Sequence, residues 1–141
     1  MDLQDWKIIS TYTRAEAVKD GVQIAIPQEL SREAGIKYPV FITQKVYNKY
    51  VPVPETMAYE SSEARLWDIL FMFFWKARQT DSDELEFQFC VQLPESLDWN
   101  KFEKVCEGKR QLREVTLKAI VSQMDLDDPA PVITISFPDE D

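Results

Sequence analysis

The chain has 141 residues, 12% of them aromatic, with three glycines and a net charge of −9. That length fits a single domain spanning residues 1–141 and able to bury about two thirds of its unfolded surface, and the aromatic content excludes a disordered chain. The negative charge argues against direct nucleic-acid binding, which needs clustered Lys and Arg, and the lack of histidine excludes Ser-His-Asp and Cys-His catalysis and His-ligated zinc.

The opening "MDLQDWKIIS" has neither the basic start nor the apolar core of a signal peptide. A cytoplasmic location is therefore expected, with Cys90 and Cys106 reduced. Thr13 can cap a helix through Lys19, Gly21 supplies a left-handed stop, and Val22 to Ile26 follows as a short strand. The pattern repeats: Pro27 stands near a helix start and Gly35 just past its end. Pro39 to Ile42 is extended, Thr43 can cap a helix through about Tyr50, and Pro52 and Pro54 end it. Residues 55 to 62 read as a loop.

A long helix is predicted from about Ser62 to Gln79, and from Leu66 to Trp75 nine of its ten residues are apolar. A membrane span needs about 20 apolar residues, so this run is too short, and it contains Asp68. At about 100° per residue, Arg65, Asp68, Met72 and Lys76 form one polar stripe. Leu66, Leu70, Phe73, Phe74 and Ala77 form the centre of the apolar arc, with Trp67, Phe71 and Trp75 on its flank. That arc is wider than one sheet can cover. Either the N-terminal helices cover the flank, or Trp67, Phe71 and Trp75 form a partner or dimer surface. Arg65 and Asp68, at i and i+3, read as an exposed ion pair.

"ELEFQFCVQL" (residues 84–93) alternates strictly, with Leu85, Phe87, Phe89, Val91 and Leu93 on one side, the mark of a half-buried antiparallel strand. A connection follows, with a weak helical turn expected around Lys101 to Cys106. "REVTLKAIVSQ" (113–123) and "VITISF" (132–137) are two further strands, pairing most simply as a hairpin. "PDED" reads as a frayed acidic tail. The sum is an α+β fold: N-terminal helices and one long aromatic-rich helix packed on a small, mainly antiparallel sheet of three C-terminal strands plus a candidate N-terminal strand.

Chemistry-bearing motifs are sparse. "DSDELE" has the D-x-D spacing of a calcium loop but lacks its third ligand, glycine and distant glutamate. The two cysteines are sixteen positions apart and form no zinc knuckle. Lys118 lies on the face of its strand opposite Val115 and Leu117 and is expected to point outward. No metal or cofactor is expected. Asp125, Asp127, Asp128, Asp139, Glu140 and Asp141 fill a C-terminal stretch without a base and form a candidate acidic surface.

"IISTYTRAEAVKDGV", "REAGIKYPVFIT", "ARLWDIL", "VTLKAI" and "PVITISFPDED" occur in that order. In these segments the chain resembles a family of small uncharacterised proteins found in bacteria and on phages and plasmids. That family carries an "ISxYTRAQAxxDGV" opening, an "AREAGFxxPVAxT" segment, a "GRLWDVL" helix and a "VTLKAVCGPGDDGEPVITIMLPxED" ending. The resemblance implies a cytosolic bacterial or mobile-element setting and no particular activity. Here "SQMDLDDPA" replaces the family's glycine-rich last turn. Among the matching positions Arg14, Asp20, Arg65, Asp68 and Lys118 are harder to explain by packing, and they form the candidate functional cluster.

Together these features suggest a non-enzymatic accessory protein that binds a protein partner or a second copy of itself. Two rivals follow from the same residues: a His-independent enzyme using Arg, Lys and carboxylates, and an inhibitor whose carboxylates imitate nucleic-acid phosphates. If the cluster were catalytic, its five side chains would converge in one cleft.

Overall fold

The computed structural model describes residues 13–57, 60–107, 109–125 and 127–140. Helices α1 (Arg14–Lys19), α2 (Gln28–Glu33), α3 (Gln44–Tyr50) and α4 (Ser62–Ala77) alternate with, and then give way to, strands β1 (Gln23–Ala25), β2 (Val40–Thr43), β3 (Glu84–Gln92), β4 (Glu103–Cys106), β5 (Lys109–Asp125) and β6 (Asp128–Ser136). The strands form one sheet in the order β1-β2-β6-β5-β3, with β4 paired to the start of β5. All neighbours are antiparallel except β2 and β6, which run parallel. The α+β class is as expected, and so is the β5–β6 hairpin.

Local chemistry places the helix ends. The Thr13 hydroxyl accepts from the Glu16 amide at 3.1 Å, and Ser61 does the same for the Ala64 amide ahead of α4. Gly35 has φ +95°, and a Cβ there would lie 3.0 Å from the Phe74 ring, so both backbone and packing demand glycine. Thr43 precedes α3 without capping it. Its hydroxyl donates instead to Glu140 Oε2 at 2.8 Å.

One face of the sheet packs against α4. Phe87 stands opposite Leu117 and Phe89 opposite Val115, while Val40 and Ile42 pair with Ile133 and Ile135. All are buried, and Leu66, Ile69, Leu70 and Phe73 of α4 close over them. The buried arc of α4 is turned toward Arg65 relative to expectation: Ile69 is fully buried, while Phe74 and Ala77 are only half-buried. Helix α2 and the following turn occupy the Phe74 side, which holds the ring out of the centre.

Three further expectations need correction, while the extended reading of Pro39 to Ile42 holds. The predicted helical turn at Lys101 to Cys106 is strand β4; Phe102 alternates with charged neighbours, and the Thr116 amide donates to its carbonyl. Pro39 to Ile42 leads into a buried strand in mid-sheet, because its Val-Phe-Ile-Thr run can be covered on both faces. Strand β5 starts at Lys109, four residues earlier than predicted, and its seventeen residues serve β3, β4 and β6 together. The C-terminal acidic segment is anchored: the Glu140 carboxylate accepts from Thr43 and the Phe137 amide, and its carbonyl accepts from Lys118. Asp141 lies outside the described residues.

Candidate functional site: the open edge of β3

Strand β3 ends the sheet, with β5 as its only strand neighbour among the described residues. The Val121 amide donates to the Asp83 carbonyl at 2.8 Å, which sets the phase of the ladder. Opposed residues in an antiparallel pair alternate between bonding each other and pointing away. Odd-numbered residues of β3 therefore bond β5, and Glu86, Gln88 and Cys90 turn their backbone N–H and C=O groups to the open edge, while the Glu84 amide donates to the Ser82 hydroxyl at 3.2 Å. The far end of that edge is closed, because Arg65 Nη2 donates to the Gln92 carbonyl at 2.6 Å.

Beside this edge runs a groove of about 370 Å³ between α4 and the sheet. Met72, Trp75, Lys76 and Gln79 form its helical wall, and Gln88, Cys90 and Glu114 its sheet wall, with Phe87 and Phe89 at the base. Trp75 is 48% exposed and Met72 41%, large apolar side chains left in water at the groove's rim. Trp67 stacks on Phe71 at 4.6 Å between ring centroids, and Phe71 meets Trp75 edge-on at 6.1 Å. The predicted flank is thus one continuous aromatic row, half-buried at Trp67 and Phe71 and exposed at Trp75.

On the sheet face away from α4 the edge strand carries exposed Glu84 and Glu86, while Glu114, beside Cys90, pairs with Lys104 at 3.1 Å. Burial, the contact with Cys106 and the charge of Glu114 push the Cys90 thiol up to about 12. At neutral pH it is protonated and a poor nucleophile.

The five members of the predicted cluster do not converge. Arg14 lies on the sheet face opposite α4, over the Phe41 ring at 4.8 Å. Its guanidinium donates to the Met124 carbonyl, Gln23 and Thr134, each at 2.9 Å, while its amide donates to Asp125. Burial lowers the Arg14 pKa, and Asp125 partly offsets this. Lys118 shares that face, but it is buried against the Glu140 carbonyl and is not the outward-facing residue expected. Asp20 caps the end of α1.

Arg65 and Asp68 belong to the other side of the sheet, and they do not form the exposed pair expected. Arg65 is 4% exposed and donates to Glu60 and to the carbonyls of Tyr50, Pro52 and Gln92. Three loose carbonyls around one planar five-donor group explain why an arginine, of all the stripe, turned inward. Asp68 stays exposed, its carboxyl raised by partial burial and by the charge of Glu60.

Among the described residues the C-terminal acids form no continuous surface. Asp125 bonds Arg14, Asp139 pairs with Lys101 at 3.4 Å and Glu140 turns inward, which leaves Asp127 and Asp128 exposed at the β5–β6 turn.

Sequence reasoning missed the main buried polar centre. Arg113, 1% exposed, donates to Glu103 Oε1 at 2.8 Å and to the carbonyls of Pro94, Leu97 and Asp98, and it stacks on Trp99 at 4.1 Å. Tyr50 donates to Glu103 Oε2, and Lys49 pairs with the same oxygen at 2.7 Å. Burial alone would raise the Glu103 carboxyl, but the bonds from Lys49, Tyr50 and Arg113 more than reverse it and hold it below the usual range. Burial and Glu103 push Tyr50 far up. These groups pin the segment from Pro94 to Glu103 to the sheet, and they face one another. The one available signal was Arg113 at a core position of an alternating strand.

Among the described residues no helix is long and apolar enough to cross a membrane, and no group of three or more metal-ligating side chains gathers. In comparison with known proteins, the chain matches no family model, no curated protein and no solved structure.

Proposed function

We propose that this protein is a non-enzymatic binding module that takes an extended, basic segment of a partner protein along the open edge of β3. The observation that carries this reading is the open edge from Glu86 to Cys90 lying beside a groove where Trp75 and Met72 are exposed. An added strand would receive main-chain hydrogen bonds from the edge, and the groove would receive one of its apolar side chains. Exposed Glu84 and Glu86, on the face of the edge strand away from α4, favour a partner segment with Lys or Arg at alternate positions. The binding reading is further supported by the cations of the candidate cluster: Arg14, Arg65 and Lys118 are each bound to carbonyls or side-chain oxygens at separate places, and no cleft unites them. The resemblance stated above supports a bacterial or mobile-element setting as part of the same proposal.

A second reading, self-association, has its own observation. With Gln88 on a two-fold axis, antiparallel β3 strands would set Glu84 opposite Gln92 and Glu86 opposite Cys90, so that no acid faces an acid.

The discriminating variant is Gln88→Pro. Its amide points to the open edge, so proline removes a donor to the partner and none to β5. A nine-residue peptide of alternating Arg and Val, titrated into ¹⁵N-labelled protein, should shift the β3 amides and the Trp75 indole in the wild type and leave Gln88→Pro unaffected. Equal shifts in both proteins, or shifts confined to other surfaces, would refute strand addition. Sedimentation of the free protein separates the second reading: a dimer broken by Gln88→Pro supports it, and a monomer at high concentration rejects it.

A further inference from the structure

Cys90 and Cys106 are the chain's only two cysteines. They sit on strands flanking β5 from opposite sides, since Glu114 of β5 stands opposite Cys90 of β3 and also opposite Lys104 of β4. The register of β4 shifts at Cys106, and the two sulfur atoms meet at 3.0 Å. A disulfide bond is about 2.05 Å long, so the sulfurs stand about 1 Å beyond bonding distance. Cys90 is exposed and Cys106 partly so, which lets a small oxidant reach them.

We propose that Cys90 and Cys106 are a redox pair, converted to an intramolecular disulfide by a small disulfide oxidant such as oxidised glutathione. One thiol loses its proton, and the thiolate attacks a sulfur of the oxidant. A mixed disulfide forms as glutathione thiolate leaves. The second cysteine, as thiolate, attacks the protein sulfur of that mixed disulfide and expels the second glutathione thiolate. Two protein thiols are oxidised, one glutathione disulfide is reduced to two thiols, and the two protons released by the protein end on them. The bond closes a sixteen-residue separation and ties the β4 strand to the edge strand β3. A first attack by Cys90 is slow, because it is a poor thiolate at neutral pH, whereas ring closure is favoured because the partner sulfur is already in contact.

This bond stands or falls independently of partner binding. The full-length protein is equilibrated in glutathione buffers from fully reduced to fully oxidised, quenched with acid, alkylated and weighed intact. The wild type should pass from two alkylated thiols to none, as a monomer free of glutathione. Cys90→Ser and Cys106→Ser should each stop at one glutathione adduct. Two thiols that stay alkylatable in the most oxidising buffer, a stable adduct with two glutathiones, or a disulfide between two chains would overturn the proposal.

Discussion

Glu103→Gln changes one oxygen to an amide nitrogen and almost nothing in shape. In the wild type the Glu103 side chain is fully buried, with Arg113 at 2.8 Å on one oxygen and Lys49 at 2.7 Å, together with Tyr50, on the other. Glutamine keeps one acceptor and turns an N–H donor toward the remaining donors. Arg113, 1% exposed, loses its counter-charge but keeps the carbonyls of Pro94, Leu97 and Asp98. Removing one partner of a buried pair costs about 3–5 kcal/mol, and the retained acceptor and carbonyls bring the expected loss to roughly 2–4 kcal/mol. For a domain of this size that is a fall in Tm of roughly 6–16 °C. Urea unfolding followed by circular dichroism measures it, with exposed Glu95→Gln as control, expected within about 0.5 kcal/mol of wild type. The sign with pH follows from Glu103 being held below the ordinary carboxyl range. Its contribution is fully present above the unfolded value, about 4.3, and disappears as pH falls through the lower folded value. The gap between variant and wild type should therefore be full at pH 7 and narrow once pH drops below about 4. A loss under about 0.5 kcal/mol at pH 7, or a gap that widens in acid, would refute the role given to Glu103.

Gly35→Ala should destabilise by roughly 1–3 kcal/mol, since it strains a left-handed backbone and presses on the Phe74 ring; a neutral result in thermal melts would contradict the packing between α2 and α4. Asp68→Asn should be neutral or stabilising near pH 7, because it removes a carboxylate disfavoured by partial burial and by Glu60; a marked fall in Tm would show that Asp68 has a partner it needs. Phe73→Ala, which empties a buried ring site against Phe87, should cost about 3–5 kcal/mol in urea unfolding. Trp75→Ala should leave stability within about 0.5 kcal/mol, because Trp75 is half exposed; a large loss would make Trp75 a core residue rather than a groove wall.

What was legible in the sequence came from periodicity and punctuation. Strict alternation in residues 84–93 fixed both the strand and its buried face, and Gly21 and Gly35 ended their helices with positive φ. Two kinds of feature were hidden. Long-range pairing was one: nothing local in "VFIT" says that it lies parallel to residues 133–135, far beyond α4 in the chain. Buried cations were the other. Arg65 looked like a polar stripe and Lys118 an outward residue, because a pattern read assigns charge to solvent. Each turned inward to meet carbonyls of distant segments, which only the fold brings near. The cysteines tell the same story, sixteen residues apart in sequence and in contact across the sheet.

The open edge of β3 can be read directly by amide hydrogen exchange. In the free protein Leu85, Phe87, Phe89 and Val91 should be protected by β5, while Glu86, Gln88 and Cys90 exchange quickly. Saturating Arg–Val peptide should slow those three amides and leave the four already protected ones unchanged. Three edge amides that are already protected in the free protein at low concentration, or that exchange as fast with peptide as without it, would contradict an edge open to a partner strand.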